Sequence, residues 1–389
     1  MSKDHGIATR LTQLGRDLDG SGVSVNPPVY RASTFVFSSL AELDEAWKTP
    51  FSGRLYGRNG TPTSAAFETA VADISGAHAA VACASGVAGI MAVFLAFLNS
   101  GDHVLIPDSV YDIARRCAER TLRRMGIEIT YYDPAIGAGV EALVQPNTKL
   151  IYMESPGSGT FDMQDVPAIV AVAQKHGLRT ALDNTWATPL FFRPLTLGVD
   201  AVIEAATKYI VGHSDAMLGV VACNEAAYLP VRMAVQDMGA VAGTEEINLG
   251  LRGLRTLETR LARHQASALK VAEWLQGQEG VRQVLYPALP GAPGHEIWKR
   301  DFSGASGLMS FELPPLADGA LEAMVSGMAH FKLGYSWGGF ESLILPAHPE
   351  NRKVAVWKGG PVVRIHIGLE DVDDLIADLD AGLRRLRFA

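Results

Sequence analysis

From about residue 62 onward, short apolar runs alternate with helical patterns, and this alternation limits the possible folds more than any other feature. The apolar runs are AVACAS, DHVLIP, EITYYD, KLIYMES, RTALDN and DAVIEAA. Helical spacing separates them, as in PTSAAFETAVADISG, which has Pro62 and Ser64 near its start and Gly76 after its end. Continuous apolar strands joined by helices are typical of a mostly parallel sheet covered on both faces. The pattern therefore predicts an α/β fold.

Three segments can be distinguished within the 389 residues. Residues 1–60 contain the stretches NPPVY and TPFSGRLYGRNGTP, so we predict an extended arm that lies on another surface, such as a second subunit. Residues 61–255 carry the alternating pattern and form the predicted α/β domain. A long helical stretch at about 244–277 leads into residues 256–389, where the runs VRQVLYP, SGLMSFEL and VVRIHIG predict a smaller C-terminal α+β domain.

Charge and cysteine content exclude several kinds of partner. A net charge of -8 and a pI near 5.7 argue against a nucleic-acid or acidic-membrane partner. Cys83, Cys117 and Cys223 form no C-x-x-C pair, which predicts a reducing compartment with no disulfide or zinc site.

One stretch of the sequence needs to be tested as a membrane span. The uncharged residues 79–98 have about the length of a bilayer span, but their Ala, Gly and Ser content favours a buried strand, a turn and a core helix. The start, MSKDHGIATRLTQLGRD, lacks an apolar signal sequence, so we expect a cytoplasmic protein.

Polar residues follow several predicted strands, among them Ser85, Asp183 and Lys208. Because ligands bind beyond the carboxyl ends of parallel strands, we expect these residues on one rim of the sheet. Lys208 is predicted to end a buried strand, where its amine would have a lowered pKa and could form a Schiff base; a shorter strand would leave it exposed. Asp183 either pairs with the pyridine nitrogen of pyridoxal phosphate or caps the next turn. His213 and Asp215 lack a third ligand nearby, so we predict no metal site.

Weaker signals come from two loops and a helix start. In ASGVAGI, Gly86 and Val87 would leave backbone N–H groups open to a phosphate, although a turn without a ligand has the same pattern. In LYGRNGTP, Tyr56 and Arg58 either close over a phosphate from outside or belong to an ordinary surface loop. Tyr111 follows another strand and either stacks on a flat cofactor ring or is exposed at a helix start.

Nearly the whole chain resembles the pyridoxal-phosphate enzymes of cysteine and methionine metabolism, which have the aspartate-aminotransferase-like fold (fold type I). ATKYIVGHSD is similar to the cofactor-lysine motif of that family, YGRNGTPT to its partner-subunit phosphate loop, and LDNTWATP contains the matching aspartate. The resemblance implies that Lys208 is the Schiff-base lysine, that Asp183 contacts the pyridine nitrogen and that Tyr111 stacks on the ring. Tyr56 or Tyr111 would assist proton transfer. The implied phosphate contacts come from Gly86, Val87 and Thr207, joined by Tyr56 and Arg58 reaching across a dimer; two such dimers typically form a homotetramer.

The C-terminal region contributes the predicted substrate wall. Arg364, in VVRIHIGLED, lies on a strand pattern whose alternation also permits an outward side chain. In the family the matching arginine holds the substrate carboxylate, a task that suits a bidentate guanidinium. GYSWGGFESLILP adds Tyr335, Ser336 and Trp337 near the same place.

Trp337 most resembles the cystathionine β-lyase branch, because γ-lyases and γ-synthases usually have a smaller apolar residue there. That branch carries out α,β-elimination of L-cystathionine to homocysteine, pyruvate and ammonia in methionine biosynthesis. A γ-lyase, a γ-synthase or a cysteine-desulfhydrase-type member would use the same lysine, whereas a non-enzymatic α/β binding module would not. Ala205 and Ser158 stand where many members have Ser and Asn, so two polar cofactor contacts are altered. Asn59 and Arg116 lie where contacts to the distal end of the substrate are expected, and an Arg116 that faces the pocket would move the preference to another sulfur amino acid.

Overall fold

The computed structural model describes residues 5–16 and 24–389, and the larger of its two sheets has seven strands. These strands are β1 (Ala79–Cys83), β2 (His103–Pro107), β3 (Glu128–Tyr132), β4 (Thr148–Glu154), β5 (Arg179–Asp183), β6 (Ala201–Glu204) and β7 (Gly219–Cys223). Their order is β1-β7-β6-β5-β4-β2-β3. The neighbours from β3 to β6 are parallel, whereas β7 is antiparallel to β1 and β6. The prediction of a mostly parallel central sheet is confirmed.

Strand β7 is absent from the sequence prediction. Its sequence, GVVAC, is a short apolar run, which was the available signal. An antiparallel strand inserted between β1 and β6 interrupts the strand–helix alternation on which that prediction depends, because no helix precedes it.

Helices cover both faces of this sheet. The α-helices among the described residues are α1 (Ile7–Gln13), α2 (Leu40–Lys48), α3 (Pro62–Ser75), α4 (Gly86–Phe97), α5 (Asp112–Cys117), α6 (Val166–His176), α7 (Thr188–Phe191), α8 (Glu225–Asp237), α9 (Thr244–Leu254), α10 (Leu257–Gln276), α11 (His295–Asp301), α12 (Ala320–Ser326) and α13 (Val372–Leu383). In β1, Val81 and Cys83 pack in the cluster with α4 and α8, whereas Ala80 and Ala82 pack in the cluster with α3 and α9. This two-sided burial explains why the strands read as continuous apolar runs.

Local sequence explains where α3 begins and where it ends. α3 starts with a capping box between Thr61 and Ser64, has Pro62 at its first position and is followed by Gly76 at φ 68°. The uncharged stretch 79–98 consists of β1, a turn and α4, as predicted. Over residues 5–16 and 24–389, no helix combines the length and the apolar character that crossing a membrane requires.

The smaller sheet has the order β10-β11-β12-β9-β8. Its strands are β8 (Gln283–Leu285), β9 (Leu308–Glu312), β10 (Lys332–Leu333), β11 (Leu343–Ala347) and β12 (Val362–His366). All neighbours are antiparallel except β10 and β11. The long helical stretch predicted at about 244–277 is divided at Arg255 and Thr256 into α9 and α10.

The N-terminal segment is not wholly extended, and in this respect the prediction is wrong. α1 packs on its own chain because Leu11, only 2% exposed, and Leu14 enter the cluster of α3 and α9. Arg255 donates hydrogen bonds to the carbonyl oxygens of both residues. By contrast α2, all of whose residues are described, buries none of its side chains, and Trp47 on it is 62% exposed. Residues 1–4 and 17–23 of the predicted arm lie outside the described residues.

Candidate active site

A cavity of about 310 Å³ lies beyond the carboxyl ends of β1, β4, β5 and β6 and is closed on another side by β12 and the loop before β11. This is the edge at which the strand pattern predicted a ligand site. Most of the residues selected from the sequence line it: Gly86, Val87, Tyr111, Asp183, Thr207, Lys208, Tyr335, Ser336, Trp337 and Arg364.

Lys208 lies in a turn and not on a strand, because β6 already ends at Glu204. The Lys208 N–H donates to Ala205 O at 2.9 Å, and its carbonyl accepts from the Gly212 N–H at 2.8 Å. Its Nζ donates to Ser336 Oγ at 2.9 Å and lies 5.4 Å from the ring centroid of Trp337. The Lys208 side chain thus contacts two neighbouring residues of the loop between β10 and β11.

The amine of Lys208 is less basic than an ordinary lysine. Burial is the largest cause, the charge of Arg364 adds to it, and Asp183 opposes both; together they lower the pKa of Lys208 to about 8. A larger fraction of this amine is therefore neutral near neutral pH, as a nucleophile or a base requires.

Asp183 ends β5 and lines the cavity. Its Oδ1 accepts hydrogen bonds from the Thr185 N–H at 3.0 Å and from Thr185 Oγ1 at 2.6 Å, so it also caps the turn that follows. Burial raises the pKa of Asp183, and the Thr185 bonds and the charge of Lys208 partly offset that rise. A carboxylate in this environment is stabilised by a cationic partner in the cavity.

Two further carboxyl groups flank Asp183, and sequence reasoning missed both. Glu154 ends β4 and is paired in register with Asp183, and Glu204 ends β6. Glu154 Oε2 accepts the Tyr111 N–H at 2.7 Å, and Asn184 Nδ2 donates to Glu204 Oε1 at 3.0 Å. Burial and the Asp183 charge raise the pKa of both glutamates well above the usual range. The available signal was that each glutamate ends an apolar strand run.

The start of α4 faces the cavity with its backbone N–H groups. Ser85 caps the helix by accepting the Ala88 N–H at 3.1 Å. Gly86 needs to be glycine, because a Cβ there would stand 2.6 Å from the Cβ of Ala205. On the neighbouring turn, Thr207 Oγ1 accepts the Leu218 N–H at 2.9 Å. A helix start with uncovered N–H groups is a site at which anions bind.

Arg364 on β12 points into the cavity, which decides between the two orientations that strand alternation permits. Its Nη2 donates to Tyr335 O at 3.2 Å, and burial lowers the pKa of the guanidinium although Tyr111 opposes that change. The phenol of Tyr111 has a raised pKa, chiefly because of burial and the charge of Asp183.

Two loop residues are not brought to this cavity. Tyr56, 44% exposed, and Arg58 lie outside the lining that the described residues form, and the Arg58 guanidinium lies 5.4 Å from the Tyr56 ring centroid. Arg116 is also outside and pairs with Asp112 on the surface of α5. Asn59 lies in the short 3-10 turn Gly57–Asn59.

Known proteins resemble this chain over nearly its whole length. The cystathionine beta-lyase MetC of Escherichia coli (strain K12) is 42% identical over 98% of this chain and 99% of its own. The cystathionine beta-lyase of Bordetella avium is 41% identical over 97% of this chain and 98% of its own. Among solved structures, metB from Corynebacterium glutamicum has a TM-score of 0.89 at 31% identity and covers 98% of both chains.

Residues 8–384 match the family described as Cys/Met metabolism PLP-dependent enzyme. The predicted aspartate-aminotransferase-like α/β fold agrees with the similarity to the solved metB structure. A non-enzymatic binding module is thereby excluded. The chain belongs to the pyridoxal-phosphate-dependent enzymes of cysteine and methionine metabolism.

Proposed function

We propose that the protein is a cystathionine β-lyase, which cleaves the Cβ–S bond of L-cystathionine to give homocysteine, pyruvate and ammonia in methionine biosynthesis. One observation carries the proposal: a lysine of lowered pKa, Lys208, shares a cavity with Asp183 and Arg364. The names of the relatives from E. coli and B. avium support the choice of substrate. Trp337 in the cavity wall supports the same branch of the family.

The residues present fit pyridoxal phosphate. The Asp183 carboxyl group is suited to a protonated ring nitrogen, because burial raises its pKa and a nearby cation would stabilise its ionised form. Gly86 and Val87 at the capped start of α4, together with Thr207, are suited to the phosphate. Tyr111 borders the same cavity and is suited to the face of the ring.

The bound cofactor supplies an electron sink for the charge that develops at the substrate Cα. Lys208 would hold the cofactor, and its amine would remove the Cα proton, a task for which the lowered pKa of Lys208 is suited. Ser336 Oγ orients Nζ at 2.9 Å. The Arg364 guanidinium binds the substrate carboxylate and fixes Cα near the amine. The sulfur leaves with the electron pair of the Cβ–S bond and takes up a proton to become the homocysteine thiol. Water then hydrolyses the released three-carbon enamine, through its imine, to pyruvate and ammonia.

We further propose that two chains share each site, and that two such dimers form a homotetramer in the cytoplasm. Tyr56 and Arg58 of one chain would reach the cavity of its partner, where they add donors to the phosphate and Tyr56 assists proton transfer. The exposure of Tyr56 and of α2 supports this arrangement. In this proposal residues 1–60 form the arm, residues 61–255 the cofactor domain and residues 256–389 the C-terminal domain.

The first test is the keto acid that purified enzyme forms from L-cystathionine, with thiol release followed in the same reaction. We expect pyruvate and homocysteine. If 2-oxobutyrate and cysteine form instead, the enzyme is a γ-lyase, and the β-lyase proposal is wrong although the Lys208 chemistry is retained. If pyruvate forms from cysteine but not from L-cystathionine, the protein is a cysteine desulfhydrase.

The shared site has a separate test by complementation. Lys208→Ala and Arg58→Ala each damage every site of their own oligomer. In a mixed dimer, one site receives the intact Lys208 and the intact Arg58, so about a quarter of all sites should regain activity after exchange of subunits. Activity that stays at the sum of the two separate variants would contradict a site built from two chains.

A further inference from the structure

Behind the Lys208 turn lies a buried aromatic cluster that the proposed reaction does not use. It consists of Tyr209, His264 and His366, each at most 1% exposed. The Tyr209 ring centroid lies 5.4 Å from that of His264 and 5.9 Å from that of His366, and the two imidazoles are 5.2 Å apart. Tyr209 also packs on Trp337 at 5.5 Å. The cluster therefore contacts both the turn that carries Lys208 and the loop that carries Trp337.

His366 contacts that loop directly. It lies two residues after Arg364 on β12, so the two side chains are on the same face of the strand. His366 Nε2 lies 3.1 Å from Gly338 N and 3.2 Å from Gly339 O. In one neutral tautomer Nε2 accepts the Gly338 N–H, and in the other it donates to Gly339 O. Either tautomer ties the imidazole to the loop.

Gly338 in turn contacts the backbone of Lys208. Its φ is +84°, and a Cβ at this position would stand 2.9 Å from Lys208 C and Tyr209 N. The same loop reaches the other end of the lysine through Ser336, whose Oγ accepts the Nζ hydrogen bond at 2.9 Å. The loop thus touches Lys208 at its backbone and at its reactive nitrogen.

We propose that His366 is a positioning residue for Lys208: it holds the 336–338 loop against the Lys208 turn. The inference rests on the proposed function, because it takes Lys208 as the reactive amine. The charged and titratable groups that act on His366 are His264, Arg364 and Lys208. Burial lowers the pKa of His366 well below the usual range, so the imidazole stays neutral and can accept the Gly338 N–H.

Three variants test the assignment by kinetics. His366→Phe keeps a buried ring and removes the bond to the loop, whereas His366→Gln keeps a polar group able to bond to it. His264→Phe is the matched control, because His264 is equally buried in the same cluster but bonds through Nδ1 to Ile367 O at 2.8 Å. We expect His366→Phe to lower kcat by about 10- to 100-fold with little change in KM, since the misplaced group acts in the chemical step. His366→Gln should recover part of that loss, and His264→Phe should lose stability but retain kcat.

Hydrogen exchange supplies a readout that does not depend on turnover. We expect His366→Phe to speed amide exchange in a peptide spanning residues 334–342 of the full-length enzyme, and His264→Phe to leave that peptide unchanged. The inference is wrong if both variants lose the same fraction of kcat, or if exchange in this peptide is unaffected by His366→Phe. If His366→Phe does not fold, His366→Leu and His264→Leu provide the comparison, because leucine also removes the bond to the loop. A colourless protein with the expected exchange pattern would refute the proposed function and leave the link from His366 to the loop intact.

Discussion

The turn that carries Lys208 and the arm that carries Tyr56 are held in opposite ways. Arg260, buried beneath the turn, donates hydrogen bonds to Tyr209 O at 2.7 Å and to Gly253 O at 2.8 Å, and so ties the turn to α9. The arm contains α2, which buries none of its described side chains. The Lys208 turn is therefore held by its own chain, whereas α2 leaves its side chains uncovered by that chain. The difference agrees with the proposal that folding of one chain arranges the Lys208 turn, whereas assembly of two chains completes the site.

Removal of the Lys208 side chain should have the largest effect on catalytic activity. A positioned general base contributes typically ~10²–10⁴-fold, so we expect Lys208→Ala to lower kcat by at least that factor. The variant should also resist reductive capture of the cofactor by borohydride, whereas the wild-type enzyme is labelled at Lys208. Retention of more than a tenth of the activity would show that this turn does not supply the base.

Two helices of the N-terminal segment offer the sharpest contrast in stability. Leu11 on α1 is 2% exposed, so Leu11→Ala should lower the free energy of unfolding by about 2–5 kcal/mol. Trp47 on α2 is 62% exposed within its chain, so Trp47→Ser should weaken self-association and leave the dissociated chain as stable as before. Denaturant unfolding and sedimentation at several concentrations measure the two effects. A large loss of chain stability in Trp47→Ser would contradict the contrast.

The hydrogen bond from Lys208 Nζ to Ser336 Oγ should matter less than the lysine itself. A hydrogen bond to a charged group is worth about 1.5–3 kcal/mol, which corresponds to a loss of roughly 10- to 100-fold in kcat for Ser336→Ala. Ser336→Thr retains the hydroxyl and should recover most of the activity. Equal losses in the two variants would mean that the hydroxyl is not what orients Nζ.

The pH dependence of stability should report the lowered pKa of Lys208 in the turn. Burial lowers the folded-state pKa of Lys208 from 10.5 to about 8, so between these values the unfolded chain binds more protons at this site than the folded chain. The Lys208 contribution therefore disfavours folding below about pH 8 and becomes less unfavourable as pH rises toward 10.5. We expect cofactor-free wild-type protein to gain stability relative to Lys208→Met across this window. A constant difference between their unfolding midpoints would contradict the lowered pKa.

The smallest effect is expected at Arg116. Its ion pair with Asp112 lies on the exposed surface of α5, outside the cavity, and exposed pairs contribute little. We expect Arg116→Gln to leave kcat/KM for L-cystathionine within about twofold of wild type. A large rise in KM would assign Arg116 to the distal end of the substrate.

Sequence reasoning located Asp183 and Lys208 on one edge because the carboxyl ends of parallel strands meet there, and the strand pattern was clear enough to place them. It placed Lys208 on a strand, because residues 205–207 are small enough to read as a continuation of β6. Strand alternation left the direction of Arg364 open, since its position between Val363 and Ile365 also permits an outward side chain. Only packing against the loop at 335–337 decided it.

The buried groups near the site were the least predictable. His366 in VVRIHIG reads as one more residue of a strand, and its importance depends on contact with Gly338, which is distant in sequence. Glu154 and Glu204 likewise flank Asp183 only because β4, β5 and β6 are adjacent in the sheet. Local sequence patterns do not show which distant segments contact one another. The family motifs, by contrast, were sufficient to predict the cofactor and the lysine that binds it.

The loop at 335–338 limits which substitutions can alter the substrate range of the enzyme. Tyr335 borders the cavity and is 92% exposed, so a mutant library at this position can vary size and polarity without disturbing the interior. Gly338, three residues away, tolerates no side chain, because a Cβ would meet the backbone of Lys208 at about 3 Å. Simultaneous randomisation of all four loop residues would therefore yield mostly inactive variants. Saturation mutagenesis of Tyr335 alone, with Gly338 retained, should yield a larger fraction of folded and active variants.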